Sequence, residues 1–101
     1  MPPGAAIDDD LDALVAEFRA GSADAVGALY RRYGRLVFSV AVRVLGDRGL
    51  AEEASQHTFV QAWKHAGDFE RGRDPGPWLA TIARRAAIDI HRREARRPTG
   101  A

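Results

Sequence analysis

Residues Ala23–Leu45 read ADAVGALYRRYGRLVFSVAVRVL, and the choice between helix and strand here decides the fold. The apolar positions are Val26, Leu29, Tyr30, Tyr33, Leu36, Val37, Val40, Ala41, Val44 and Leu45. They recur three and four residues apart over about six turns, which is the spacing of one helix face. The β-branched run VFSVAVRVL taken alone would suit a strand. The helical pattern enters it from upstream without a break, so one long helix is predicted. Ser22 is a good N-cap for it and Gly46 a natural stop. Gly27 and Gly34 weaken it by about 1 kcal/mol each relative to Ala.

Working outward, DDDLDALVAEFRAG at residues 8–21 predicts a short helix. Its acids lie at the end where the helix dipole favours them, and Leu11, Leu14, Val15 and Phe18 form one stripe. Downstream, Asp47 can cap a third helix that frays by Gly67. Its core candidates are Leu50, Ala54, Phe59, Ala62, Trp63 and Ala66. FERGRDPGPW at 69–78 reads as a loop, with Pro77 in the first turn of a last helix. On that helix Leu79, Ile82, Ala83, Ala86 and Ile90 share a face. No strand pattern and no internal repeat are found. The expected fold is all-α, a compact bundle of three long helices plus a short N-terminal helix. Residues 1–10 read as a disordered lead, 11–97 as the domain and 98–101 as the start of a linker.

The net charge of +1 hides a gradient. Residues 1–30 hold six acids against Arg19, a net of −5. Residues 71–101 hold eight arginines against Asp74, Asp89 and Glu94, a net of +5. Such a gradient fits a polyanion bound at the basic end, or a solvated helix face with a basic tail. The chain has no cysteine, which excludes disulfides and thiolate metal sites and suits a reducing cytoplasm. No apolar run is long enough to span a bilayer, and the N-terminus lacks the pattern of a secretory signal.

Catalysis finds little support. His57 and His65 are about two turns apart, too far for one metal ion along a single helix. Glu52 and Glu53 are adjacent and point in different directions. There is no phosphate-cradling glycine loop and no nucleophile motif. No enzyme activity, cofactor or metal is expected. Nucleic-acid binding has more in its favour. Arg84, Arg85, Arg92, Arg93, Arg96 and Arg97 can meet phosphates. Trp78, at the start of the last helix, can border an unstacked base or close the bundle as a core residue. Phe59, Trp63 and Phe69 read as core. Asp89 can pair with an arginine three or four positions away.

Three ordered blocks, LYRRYGRLVFSVAVRVLGD, AEEASQHTFVQAWKHAGDF and PWLATIARRAAIDIHRR, resemble domain 2 of the extracytoplasmic-function (ECF) sigma factors of bacterial RNA polymerase. The resemblance covers about residues 11–97. The first block corresponds to the family's long scaffold helix. The second corresponds to a motif A-E-D-x-x-Q-E/D-T-F that docks on the clamp helices of the polymerase β′ subunit. Glu53 stands for its Asp, Gln56 matches and His57 replaces its second acid. The resemblance therefore implies polymerase docking through Glu53, Gln56, His57 and Val60.

The third block is similar to W-L-x-x-I-A-R-N-x-x-I-D-x-x-R-R, matched at Trp78, Leu79, Ile82, Ala83, Arg84, Ile88, Asp89, Arg92 and Arg93. Arg85 replaces the Asn that is associated with strand separation in relatives. With the loop Glu70 to Pro77, this helix corresponds to the part that opens the promoter −10 element and holds the non-template strand single. Implied DNA contacts are Arg71, Arg73, Trp78, Arg84, Arg85, Arg92, Arg93 and Arg96. The implied partners are RNA polymerase, promoter DNA and an anti-sigma factor, with no membrane. Nothing after Arg97 can form the −35-binding domain of such factors, so either a fragment cut at the linker or a single-domain relative is expected, the fragment being favoured. The competing reading is a sigma-like interaction module that binds polymerase or an anti-sigma factor without recognising a promoter. A nucleic-acid-binding bundle unrelated to polymerase leaves the Glu53–Gln56–Phe59 block unexplained.

Overall fold

A computed structural model describes residues 8–97, and every regular element among them is helical. Helix α1 spans Asp9–Arg19, α2 Ala23–Leu45, α3 Arg48–Lys64 and α4 Pro75–Ala95. One 3-10 turn, Ala66–Asp68, follows α3. The all-α bundle of three long helices and a short one stands as expected. Asp9 and Asp10 are already helical. The lead before Asp8 and the tail after Arg97 lie outside the described residues.

Each helix starts on a side chain that accepts from a backbone N–H of the first turn, satisfying a donor the helix itself leaves open. Asp8 accepts from Leu11 N at 2.6 Å, Ser22 from Ala25 N at 3.2 Å and Asp47 from Leu50 N at 2.9 Å. Asp74 accepts from Gly76 N at 2.8 Å. The last helix therefore begins at Pro75, two residues before the expected Pro77. Both prolines fit its first turn, because the N–H each lacks would have no intrahelical partner there. Gly46 ends α2 at φ +65°, a left-handed conformation that a side chain disfavours.

The core grades along the bundle. One end packs Leu11, Val15 and Phe18 of α1 against Leu29, Tyr33 and Val37 of α2, Phe59 of α3, Phe69, and Leu79 and Ala83 of α4. The other end is built of Ala41, Ala51, Ala54, Ala86, Ala87 and Ile90. Small side chains there let α2, α3 and α4 approach closely. Burying each large side chain contributes about 1.5–3 kcal/mol, so the aromatic end, with α1 laid across it, carries most of the hydrophobic stabilisation.

Three residues of the expected apolar faces lie elsewhere, Trp63, Leu36 and Tyr30. Trp63 is 46% exposed. It sits on the flank of α3 beside the α1–α2 turn, where its indole N–H donates to Gly21 O at 3.0 Å. Leu36, at the edge of the α2 stripe, is 42% exposed. All three follow from stripe width: the apolar pattern runs slightly wider than the face the neighbouring helices cover.

Candidate nucleic-acid and polymerase interface

Asp74 organises the loop end. Its Oδ1 accepts from Gly76 N and also from the Tyr33 hydroxyl of α2 at 2.8 Å. Burial, then the hydrogen bond to Asp74 and its charge, push the Tyr33 hydroxyl up to about 12. A Cβ on residue 76 would stand 3.2 Å from Asp74 Oδ1 and 3.3 Å from the Tyr33 ring. Glycine thus lets the first turn of α4 press against α2. The Asp-Pro step was the legible sign of this cap. The reach of Tyr33 across 41 residues was not.

This anchoring sets the position of Trp78. Its ring lies 4.9 Å from that of Phe69 and edge-on to Phe18 at 5.9 Å. Half-buried, it packs on the core and also lines a cleft between α3 and α4. The core reading describes the part of Trp78 that packs on Phe18 and Phe69; the rest of the ring is open to the cleft. The cleft holds about 400 Å³ and is bounded by His57, Gln61, His65 and Asp68 on one wall and Trp78, Arg85 and Asp89 on the other. It continues into a space of about 300 Å³ between Glu53 and Arg93.

The implied DNA residues divide. Trp78, Arg85, Arg92 and Arg96 recur seven, seven and four apart, on one exposed flank of α4. Arg84 lies on the other flank, in a groove of about 330 Å³ with Arg43, Val40 and Thr81. Three arginines are engaged by acids. Arg71 binds Asp12 of α1 at 2.9 Å, Arg73 binds Glu70 at 3.0 Å, and Arg93 forms a bidentate pair with Glu53, its longer arm 3.2 Å. The hydrogen bonds from Arg93 hold the Glu53 carboxyl below its usual range. Asp89 forms no ion pair with the arginines around it among the described residues.

The implied docking residues also divide. Gln56 lines a groove of about 830 Å³ between α2 and α3, with Tyr30, Arg31, Arg35 and Phe38 on the α2 side. Glu53 and His57 lie on the opposite flank of α3, facing α4. Val60 is 48% exposed. Sequence reading missed the α2 wall of the Gln56 groove. Tyr30 is 54% exposed and rests edge-on against Phe59 at 5.2 Å; its place beside Leu29 at the stripe's edge was the available sign. Among the described residues no group of three His, Cys, Asp or Glu side chains could hold a metal ion, and no helix is long and apolar enough to cross a membrane.

Comparison with known proteins agrees with this geometry. Residues 29–97 match the family model for sigma-70 region 2. The ECF RNA polymerase sigma factor SigK of Mycobacterium sp. (strain KMS) is 38% identical over 86 residues, covering 84% of this chain and 45% of its own. The ECF RNA polymerase sigma factor BldN of Streptomyces coelicolor is 40% identical over 77 residues, covering 75% and 29%. The chain thus spans less than half the length of these relatives. The NMR structure of an engineered region 2 of sigmaE in complex with GTAAAA is similar at a TM-score of 0.79 and 25% identity, covering 92% of this chain and 99% of that one. Helical architecture, matched blocks and relatives converge: the chain belongs to the sigma-70 region 2 family, as region 2 of an ECF sigma factor.

Proposed function

We propose that this domain docks on the β′ clamp helices of RNA polymerase and recognises and melts the promoter −10 element. It is a transcription-initiation module without chemistry of its own. The observation that carries the reading is the two-sided construction of α4. Its Leu79, Ala83, Ala86, Ala87 and Ile90 face is buried in the bundle, while Trp78, Arg85, Arg92 and Arg96 line the flank beside α3. A single strand laid along that flank meets an aromatic edge and then a row of cations, the combination that holds unpaired nucleic acid. The solved relative bound to GTAAAA supports the same use of the fold. Docking falls to the α2–α3 groove around Gln56, with Val60 and the Glu53 end of α3 beside it. An anti-sigma factor would compete for these surfaces.

Titration with an isolated β′ clamp-helix fragment, then with a single-stranded oligonucleotide containing GTAAAA, tests the reading. Binding to both is expected. Binding to the clamp fragment alone would leave an interaction module without promoter recognition. Binding to neither would reject both halves.

A further inference from the structure

The two departures from the family motif, His57 for an acid and Arg85 for Asn, lie 28 positions apart in sequence, yet the fold turns both into one cleft beside Trp78. His57 therefore does not share the groove that Gln56 lines. We propose that His57 is a nucleic-acid contact: protonated, it joins Arg85 in holding a backbone phosphate of the single strand that approaches Trp78, so the grip on DNA tightens as pH falls. The inference rests on the DNA half of the function proposed above.

The charges facing His57 make the cleft sensitive to its protonation. Glu53 and Arg93 close one end as a pair. His65 and Asp68 stand 3.5 Å apart at the other. Arg85 and Asp89 lie between them on α4. With both imidazoles neutral, two arginines face three carboxylates, a net of −1 that disfavours a phosphate. With both protonated, the net is +1. Imidazole is the side chain that ordinarily changes charge between about pH 5 and 8. His57 has no ion-pair partner among the described residues. His65 has Asp68 at hand. Glu53, one turn from His57, feels its charge but is held by Arg93, so the proton on His57 is the one left to meet a ligand's phosphate.

The test measures affinity of the chain for a GTAAAA-containing single strand at about pH 8 and about pH 6, each across a salt series. One added exposed ion pair predicts binding roughly two- to fivefold tighter at the lower pH. It also predicts a log–log salt slope steeper by about 0.7, the value for one more phosphate contact on a single strand. His57→Gln should remove most of both changes, leaving only the contribution of His65, and Arg85→Asn should reduce them. His91→Gln should retain them, since His91 lies seven residues from Arg84 on the other flank of α4. Binding that does not respond to pH, or a His57→Gln chain that responds like the parent, overturns the inference and leaves the DNA reading standing. A His57→Gln chain that loses clamp-fragment affinity while keeping its pH response also overturns it, and returns His57 to the polymerase side. Failure of the parent to bind the strand at either pH overturns this inference together with the DNA reading.

Discussion

Glu53 of α3 and Arg93 of α4 are joined by a bidentate ion pair across the groove between their helices. The family motif assigns one to polymerase and the other to DNA, yet in the fold they occupy each other. The pair holds the Glu53 carboxyl below its usual range through the Arg93 hydrogen bonds. A depressed carboxyl contributes stability above its ordinary titration range and loses it as pH falls through the folded value. Arg93→Gln should therefore raise the Glu53 titration midpoint followed by NMR. Glu53→Gln should leave Arg93 held by Glu94 alone and steepen the salt slope of oligonucleotide binding by at most about 0.7. A Glu53 midpoint that stays put in Arg93→Gln would refute the pairing in solution.

Tyr33 and Asp74 supply a stability prediction with a sign. The Tyr33 hydroxyl is raised from 10.0 to about 12. The folded state thus holds its proton more tightly than the unfolded chain. Its contribution is complete below about pH 10 and is lost as pH rises towards 12. Tyr33→Phe should cost about 0.5–1.5 kcal/mol near neutrality, the net range for one hydrogen bond, since Asp74 is exposed and keeps the bond from Gly76 N. The variant should also be less sensitive to pH above 10. Urea unfolding on either side of that value reads both effects.

The two aromatics Phe18 and Trp63 separate in cost. Phe18 has no exposed surface, so Phe18→Ala should cost about 3–5 kcal/mol and leave so small a domain largely unfolded. Trp63 is exposed on one face and tethered by one hydrogen bond to Gly21. Trp63→Phe should keep the fold and cost about 0.5–1.5 kcal/mol. Circular dichroism with chemical denaturation distinguishes them, and a Trp63→Phe chain as unstable as Phe18→Ala would contradict this packing.

The arginines of α4 should not act alike. Arg92 shares the flank of Trp78 and Arg85, whereas Arg84 faces the α2 groove with Arg43. Arg92→Gln should weaken single-strand binding for every sequence and reduce the salt slope by about 0.7. Arg84→Gln should change that slope less. Equal losses from both would mean that the strand crosses α4 rather than following one flank.

Much of the fold was legible along the chain. The spacing in Ala23–Leu45, the Ser22 and Asp47 caps and the Gly46 stop are local signals, because a helix is specified by residues within about one turn of each other. The three family blocks were legible for the same reason, as residue types at fixed offsets. Even the correction at α4 was local: Asp74–Pro75 was a cap and first-turn proline available to be read.

The division of the site was not legible. Periodicity places a residue on a face of its own helix but does not say which neighbour covers that face, since this depends on how the helices cross and slide against each other. That relation decides that Tyr33 reaches Asp74, that Arg71 meets Asp12, that Trp63 stays outside and that Glu53 occupies Arg93. It also decides that His57 and Arg85 share a cleft while Gln56, one residue before His57, looks out on a different groove. The sequence by itself determined four helices, most of their ends and the family they belong to. Only the packing of the helices and the loop against one another determined which charges are paired across the bundle, Glu53 with Arg93 and Asp12 with Arg71, and which remain free for a partner.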